Sequence, residues 1–231
     1  MEKYNFLEGA MLLVNKPLDW TSFDVVNKIR YALVKKLKIK KIKVGHAGTL
    51  DPKATGLLII CTGKFTKKLA GFQELGKTYT GTLKLGATTP SYDTETEEDT
   101  FFPTDHLDDL LLDKTREQFI GEIEQYPPVF SAIKVKGRPM YKLAREGKKV
   151  DPKPRTVRIY EFEFNRIALP EIDFVVSCSK GTYIRSLAYD FGKIAGSGAY
   201  LTKLCRVQIG THQLSNAWEL PDLIQHIQEE N

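Results

Sequence analysis

The sequence predicts an α+β fold, on three observations. Apolar residues recur at helical spacing at Val26, Ile29 and Leu33, at Ile184, Leu187, Ala188 and Phe191, and at Leu223, Ile224 and Ile227. Other segments read as strands: Leu57 to Thr62 is continuously apolar, and Lys77 to Leu85 alternates. The two kinds are mixed without strict β–α–β alternation, which favours α+β over a doubly wound parallel sheet.

Each element has a local reason. Met11 to Val14 reads as a short strand, ended by Lys16-Pro17. Thr21 or Ser22 can cap the helix that carries Val26 and Leu33, and Lys35 and Lys36 suit its C-terminal dipole. Leu57 to Thr62 has the length of a buried strand. In Lys77 to Leu85, Tyr79, Gly81, Leu83 and Leu85 share one side, with Thr78, Thr80, Thr82 and Lys84 on the other. The acidic segment from Asp93 to Pro103 reads as loop. Thr115 and Gln118 form a T-x-x-Q capping box that predicts a helix through Phe119 and Ile123, stopped by Pro127-Pro128. The following stretch to Arg155 holds Gly137, Pro139, Gly147, Pro152 and Pro154, and reads as an inserted arm with a short helix, outside the core. Val157 to Phe164 and Ile172 to Ser179 read as strands, and Thr182 opens the next helix. Leu201 to Ile209 contains another strand, and Pro221 suits the first turn of a last helix.

A length of 231 residues fits one large domain or two small ones. No window approaches the ~18 consecutive apolar residues of a membrane span. The N-terminus, MEKYNFLEGAMLLVNKP, is too polar for a signal peptide, so the cytoplasm is the expected compartment and no membrane partner is expected. Cys61, Cys178 and Cys205 are odd in number and far apart, and the four His residues do not cluster. Neither a disulfide framework nor a metal site is predicted.

The net charge of +5 hides strong segregation. Residues 35–43 (KKLKIKKIK) carry six lysines and no acid, and residues 133–155 carry nine Lys or Arg against Glu146 and Asp151. Residues 91–113 carry nine Asp or Glu and no Lys or Arg. Basic zones interleaved with Tyr141 and aliphatic residues fit a polyanionic partner such as RNA; solvated surface is the plainer reading of either run alone.

In GHAGTLDPKATGLLIICTG, residues 45–63, glycines permit sharp turns and Pro52 biases Asp51 toward extended geometry. A carboxylate fixed at the mouth of a buried strand can be a nucleophile or base; it can equally be an Asp-Pro turn. Arg185 falls in the first turn of a predicted helix, where the dipole disfavours a cation by several tenths of a kcal/mol. A nearby anion, an RNA phosphate or a carboxylate such as Asp51, would offset that; an exposed Arg would need none. Tyr79 can stack on a base or fill a strand face, and Tyr183 shares that ambiguity. His46, beside glycines, is expected to be exposed.

GHAGTLDPKATGLL, KTYTGTLKLG, QYPPVFSAIKVKGRPMYKLAREG and SCSKGTYIRSLAYDFG, in that order, resemble the TruB family of tRNA pseudouridine synthases over about Met11 to Gly210. The resemblance implies a pseudouridine synthase fold, a mixed, mainly antiparallel central sheet flanked by helices, with an RNA-binding cleft. It implies a single catalytic domain, 1–231, with a thumb-like basic arm at about 127–155. The implied activity is isomerisation of the uridine at position 55 in the T-loop of tRNA. Asp51 is similar to the family's essential Asp, Tyr79 to the Tyr that packs on the target base, and Arg185 to the Arg that pairs with that Asp. Tyr183 and Leu204 match residues lining the uracil pocket, and His46 matches a His that helps displace T-loop bases. Lys67 and Asp93 match positions near the RNA and its flipped nucleotides, and Lys16-Pro17 opens a structural motif beside the cleft.

Two motifs depart from the family's pattern. KPxGxTS reads KPLDWTS, with Asp19 in place of Gly, which questions a Gly-specific backbone shape there. TDTxDxxG reads TPSYDTET, keeping Asp93 and losing the Gly. Bacterial relatives usually carry a C-terminal PUA-type RNA-binding domain, and none is expected in a chain ending at Asn231. The implied reaction exchanges an N1–C1′ bond for a C5–C1′ bond with no redox change, so no cofactor and no metal are expected. The expected partner is the T-stem-loop of tRNA, and a monomer is expected. A related synthase acting on another RNA, or a non-catalytic RNA-binding module, would share the basic zones and aromatics.

Overall fold

A computed structural model describes residues 4–131, 133–135, 137–148 and 152–229. In chain order the first elements are β1 (Met11–Lys16), α1 (Ser22–Leu37), β2 (Val44–His46), β3 (Thr55–Thr62), a 3-10 helix (Gly63–Lys68), α2 (Leu69–Glu74) and β4 (Lys77–Leu85). Next come β5 (Ala87–Thr88), β6 (Thr100–Phe101), α3 (Asp109–Glu117), β7 (Gly121–Gln125), β8 (Lys134–Val135), β9 (Arg138–Pro139) and α4 (Met140–Arg145). The last are β10 (Arg155–Ala168), β11 (Glu171–Cys178), α5 (Ile184–Ala195), β12 (Ala199–Ile209), β13 (His212–Gln213), β14 (Trp218–Glu219) and α6 (Leu220–Glu229). The elements form two compact units, Met1–Tyr79 with Leu204–Asn231, and Thr80–Lys203. The chain passes between them inside β4 and returns inside β12.

The first unit is organised by β3. It pairs antiparallel with β1 (Leu13↔Ile59) and β2 (Gly45↔Cys61), and parallel with β12 at Cys205↔Thr55 and Arg206↔Gly56. β14 runs parallel to β1 on its other edge. Both faces of β3 are covered, which explains its unbroken apolar run. Leu58 and Ile60 join Leu12, Val14, Val26, Ile29, Leu33, Leu223 and Ile227 in a core between the strands and α1 and α6. Leu57, Ile59 and Cys61 pack on the opposite face with Leu13, Phe65, Leu69 and Phe72. Each fully buried Leu, Ile or Val among them stabilises the unit by about 1.5–3 kcal/mol relative to exposure. α1 starts at a capping box in which Thr21 and Asp24 bond reciprocally, and ends at Lys38 in the left-handed region, φ 50°.

In the second unit β10 pairs antiparallel with β11 (Phe164↔Phe174) and with β7 (Val157↔Ile123). Phe162 is the centre of its core, edge-on to Phe119, Phe164, Phe174 and Phe191.

Several sequence expectations need correction. The helix expected from Thr115 through Ile123 is α3, which starts earlier and stops at Glu117. Its cap is Asp108, whose carboxylate accepts from the Leu111 N–H at 2.8 Å, so Thr115 lies inside the helix. Gly121, at φ 100°, then turns the chain into β7, where Ile123 and Gln125 pair with β10. The acidic loop contributes a strand, β6, which pairs with β5. α5 is capped at Tyr183 rather than Thr182, whose hydroxyl donates to the Ser179 carbonyl at 3.0 Å. The basic arm contains the β8–β9 hairpin and α4, yet Met140 is fully buried, so the arm is not wholly outside the core. Residues 132, 136 and 149–151 of that arm lie outside the described residues. Among the described residues no helix is long and apolar enough to cross a membrane.

Candidate active site

In the first unit the loop between β2 and β3 carries Asp51. Its entry is fixed by the Ala47 N–H bonding the Ile59 carbonyl at 2.9 Å, and Gly48 turns it at φ 96°. Beyond Asp51, the Ala54 N–H closes a turn onto the Asp51 carbonyl at 3.1 Å.

Three buried polar side chains hold this loop from different directions. The Ser22 hydroxyl accepts from the Leu50 N–H at 2.9 Å and donates to the Leu50 carbonyl at 3.2 Å, one residue before Asp51. The Lys16 ammonium donates to the Pro17 carbonyl at 2.8 Å and the Trp20 carbonyl at 2.5 Å, and lies 3.4 Å from the Pro52 carbonyl, one residue after Asp51. Burial pushes the Lys16 ammonium down to about 8, opposed first by the Asp51 carboxylate. Arg206, 1% exposed, donates from Nε to the Leu57 carbonyl at 2.8 Å and from Nη2 to the Gly48 carbonyl at 3.1 Å. It therefore ties both ends of the loop together. A Cβ on Gly56 would come within 2.3 Å of the Arg206 carbonyl oxygen, so that position requires glycine.

Asp19 keeps the backbone shape that its replacement of Gly put in question. Its φ is 63°, its N–H bonds the Pro52 carbonyl at 2.9 Å, and its carboxylate meets Lys53 at 2.8 Å. Asp tolerates the left-handed region better than most side chains.

The other candidates of this unit are distributed around the loop. Leu204 is half-buried in β12, and its carbonyl lies 3.5 Å from the Thr55 hydroxyl, just past the Asp51 turn. His46 ends β2; it is half-buried rather than exposed. Burial holds its imidazole below the usual 6.5, the Gly48 backbone opposing and the Arg206 charge adding to the effect. Tyr79 is buried in β4. Lys67 is exposed in the 3-10 helix after β3.

The second unit carries Arg185, Asp93 and Tyr183, and brings the first two together. Arg185 is 3% exposed in the first turn of α5. Its Nη1 donates to the Ser91 carbonyl at 3.0 Å, its Nη2 to the Phe130 carbonyl at 2.9 Å, and its Nε lies 3.7 Å from Asp93 Oδ2. A carboxylate thus offsets the dipole cost of a cation at this helix start. Asp93 is itself buried. Its Oδ1 accepts from the Ser91 hydroxyl at 2.6 Å and the Glu95 N–H at 2.9 Å. At the position of the family's Gly, the Thr96 hydroxyl accepts from the Ser91 N–H at 3.0 Å. Tyr183 is half-buried with the Arg155 guanidinium 5.1 Å from its ring centre, and Gln125 holds its backbone on both sides, at 2.7 and 3.0 Å.

Sequence reasoning names Ser22 only as a possible helix cap and singles out neither Gln125 nor Arg206. It also missed Tyr92, at φ 64°, whose ring stacks on Tyr189 at 4.1 Å. Ser22 had a legible signal, the T-S pair at a helix start; the others act through partners remote in sequence.

Residues 35–184 match the family model described as TruB family pseudouridylate synthase (N terminal domain). A Flavobacterium johnsoniae protein named tRNA pseudouridine synthase B is 57% identical over 95% of this chain and 96% of its own. A Phocaeicola vulgatus protein of the same name is 56% identical over 92% and 90%. The crystal structure of a Cbf5-Nop10-Gar1 complex contains a similar chain, with a TM-score of 0.70 and 27% identity. That match covers 96% of this chain, which spans about half, 55%, of the solved one. The mixed, mainly antiparallel sheet is therefore the pseudouridine synthase fold, and the chain belongs to the TruB family of pseudouridylate synthases.

Proposed function

We propose that this chain isomerises uridine to pseudouridine at position 55, in the T-loop of tRNA, with its two units acting as one catalytic domain. The names of relatives that match nearly end to end support the substrate. The observation that carries the chemistry is the loop around Asp51, held by Ser22 before the carboxylate, by Pro52 contacts after it, and by Arg206 at both ends. Such multiple fixing suits a group that must meet a sugar carbon in one geometry.

In this reading the target uridine leaves its stack, which costs a few kcal/mol and least in a loop. Ionised Asp51 then acts at the ribose, attacking C1′ or removing the 2′ proton to give a glycal. The N1–C1′ bond breaks, the uracil turns, and C5 bonds to C1′. The C5 proton leaves and N1 gains one, so nothing is oxidised. Tyr79 stacks on the uracil and assists removal of the C5 proton. Arg185 steadies the Asp51 charge, and Asp93 in turn positions Arg185. Tyr183 and Leu204 line the uracil pocket, His46 displaces neighbouring bases, and Lys67 and the basic arm hold phosphates. The protein works as a cytoplasmic monomer without cofactor or metal.

Pseudouridine mapping of total tRNA from a strain lacking this gene, before and after addition of the purified protein, tests the assignment. A new signal at position 55 is expected. A signal confined to other RNAs would overturn the substrate.

A further inference from the structure

Two lysine-rich segments, separate in sequence, meet at one end of the first unit. After α1 the chain reads Lys38-Ile39-Lys40-Lys41-Ile42-Lys43. The two isoleucines are half-buried, Ile42 against the core beneath α1, while all four lysines are exposed. The segment is pinned as well as anchored: the Ile39 N–H bonds the Val34 carbonyl at 3.3 Å, and the Gly63 N–H bonds the Lys43 carbonyl at 2.9 Å. That second bond sets it against the 3-10 helix, which exposes Lys64, Lys67 and Lys68.

Acids are sparse along the chain segments that build this surface. From residue 25 to 73 the chain has twelve Lys or Arg and one acid, Asp51. Glu8 reaches Lys64 at 2.7 Å, and Lys68 rests 3.9 Å from the Phe65 ring centre. Ammonium groups gathered this way repel one another, and a polyanion relieves that repulsion.

Position within the unit sets this surface apart from the chemistry. Val44 pairs with Thr62 and His46 with Ile60, so the lysines lie at the C-terminal end of β3. The Asp51 loop enters β3 at the other end, at Thr55. Eight strand residues at ~3.3 Å each separate the two by roughly 23 Å.

We propose that Lys38, Lys40, Lys41, Lys43 and Lys64 form a docking surface for the phosphate backbone of RNA, engaging a part of the substrate remote from the reacting uridine. The inference rests on the isomerase reading for where that uridine lies.

The test compares wild type with a Lys38→Ala/Lys40→Ala/Lys41→Ala variant. Binding of full-length unmodified tRNA and of an isolated T-arm hairpin is measured against salt concentration. For full-length tRNA the slope of log K against log salt is expected to fall by about 2–3, with roughly tenfold weaker binding near physiological salt. The hairpin is expected to keep its slope and affinity. The matching triple Arg variant should retain the wild-type slope, which separates charge from local unfolding. An unchanged slope on full-length tRNA overturns the proposal. An equal loss on the hairpin does so too, by placing the lysines beside the uridine. A wild-type protein that shows this slope but makes no pseudouridine would sink the isomerase reading and leave the docking surface standing.

Discussion

Replacing Ser22 by Ala removes one hydroxyl and changes little else in volume. Ser22 is 2% exposed, and its hydroxyl serves both the N–H and the carbonyl of Leu50, a residue 4% exposed. The substitution leaves a buried donor and a buried acceptor without that partner, at about 1–3 kcal/mol each if neither finds another. A loss of about 2 kcal/mol is expected, because the carbonyl bond at 3.2 Å is the longer of the two. For a chain of this size that lowers Tm by roughly 4–8 °C. The functional consequence is larger, since Leu50 precedes Asp51. A carboxylate displaced by about 1 Å can lose ~100-fold in rate. The variant should therefore show a kcat roughly 10- to 100-fold down, with tRNA affinity within about twofold of wild type. Thermal unfolding, single-turnover pseudouridine formation and tRNA titration measure the three quantities. An unchanged Tm together with an unchanged kcat would refute the claim that Ser22 fixes this loop.

Other substitutions probe the same loop from different sides. Arg206→Lys keeps the charge but lacks the planar fork that spans Gly48 and Leu57, so Tm should fall and kcat should drop more than KM rises; a change confined to KM would contradict a positioning role. His46 gives a pH signature. Its folded-state value lies below 6.5, so between that value and 6.5 the unfolded chain binds more protons and stability is lost as pH falls through the window. His46→Gln should flatten that acid-side slope in denaturant titrations, and an identical slope in the variant would show that His46 is not its source.

How much of this was legible in the sequence depends on the range of the interaction. The unbroken apolar run of β3, the alternation of β4 and the capped start of α1 are local patterns, and each element formed where its pattern lay. α3 was displaced because T-x-x-Q also occurs inside helices, while Asp108 made the actual cap and Gly121 turned the chain into β7. Asp19 shows a motif position whose shape survives a change of residue: the left-handed φ that Gly adopts freely is available to Asp, here paired with Lys53. Arg206 reads in sequence as one cation in a strand. Its role depends on Gly48 and Leu57, about 150 residues earlier, and only folding brings them together. Gln125 and Tyr183 are likewise joined across a long stretch of chain. Arg185 lay between these cases. The helix dipole indicated that an anion was needed, and Asp93 in the acidic loop supplies a carboxylate at 3.7 Å.

The role proposed for the Asp51 carboxylate is to act on the ribose of the target uridine. Tritium release from tRNA carrying 5-tritiated uridine measures this directly, because the C5 proton must leave in every completed turnover. Asp51→Asn is isosteric and keeps the backbone turn to Ala54. No release above the enzyme-free background is expected, with Tm and tRNA affinity close to wild type. Sustained release by the Asn variant would contradict that role.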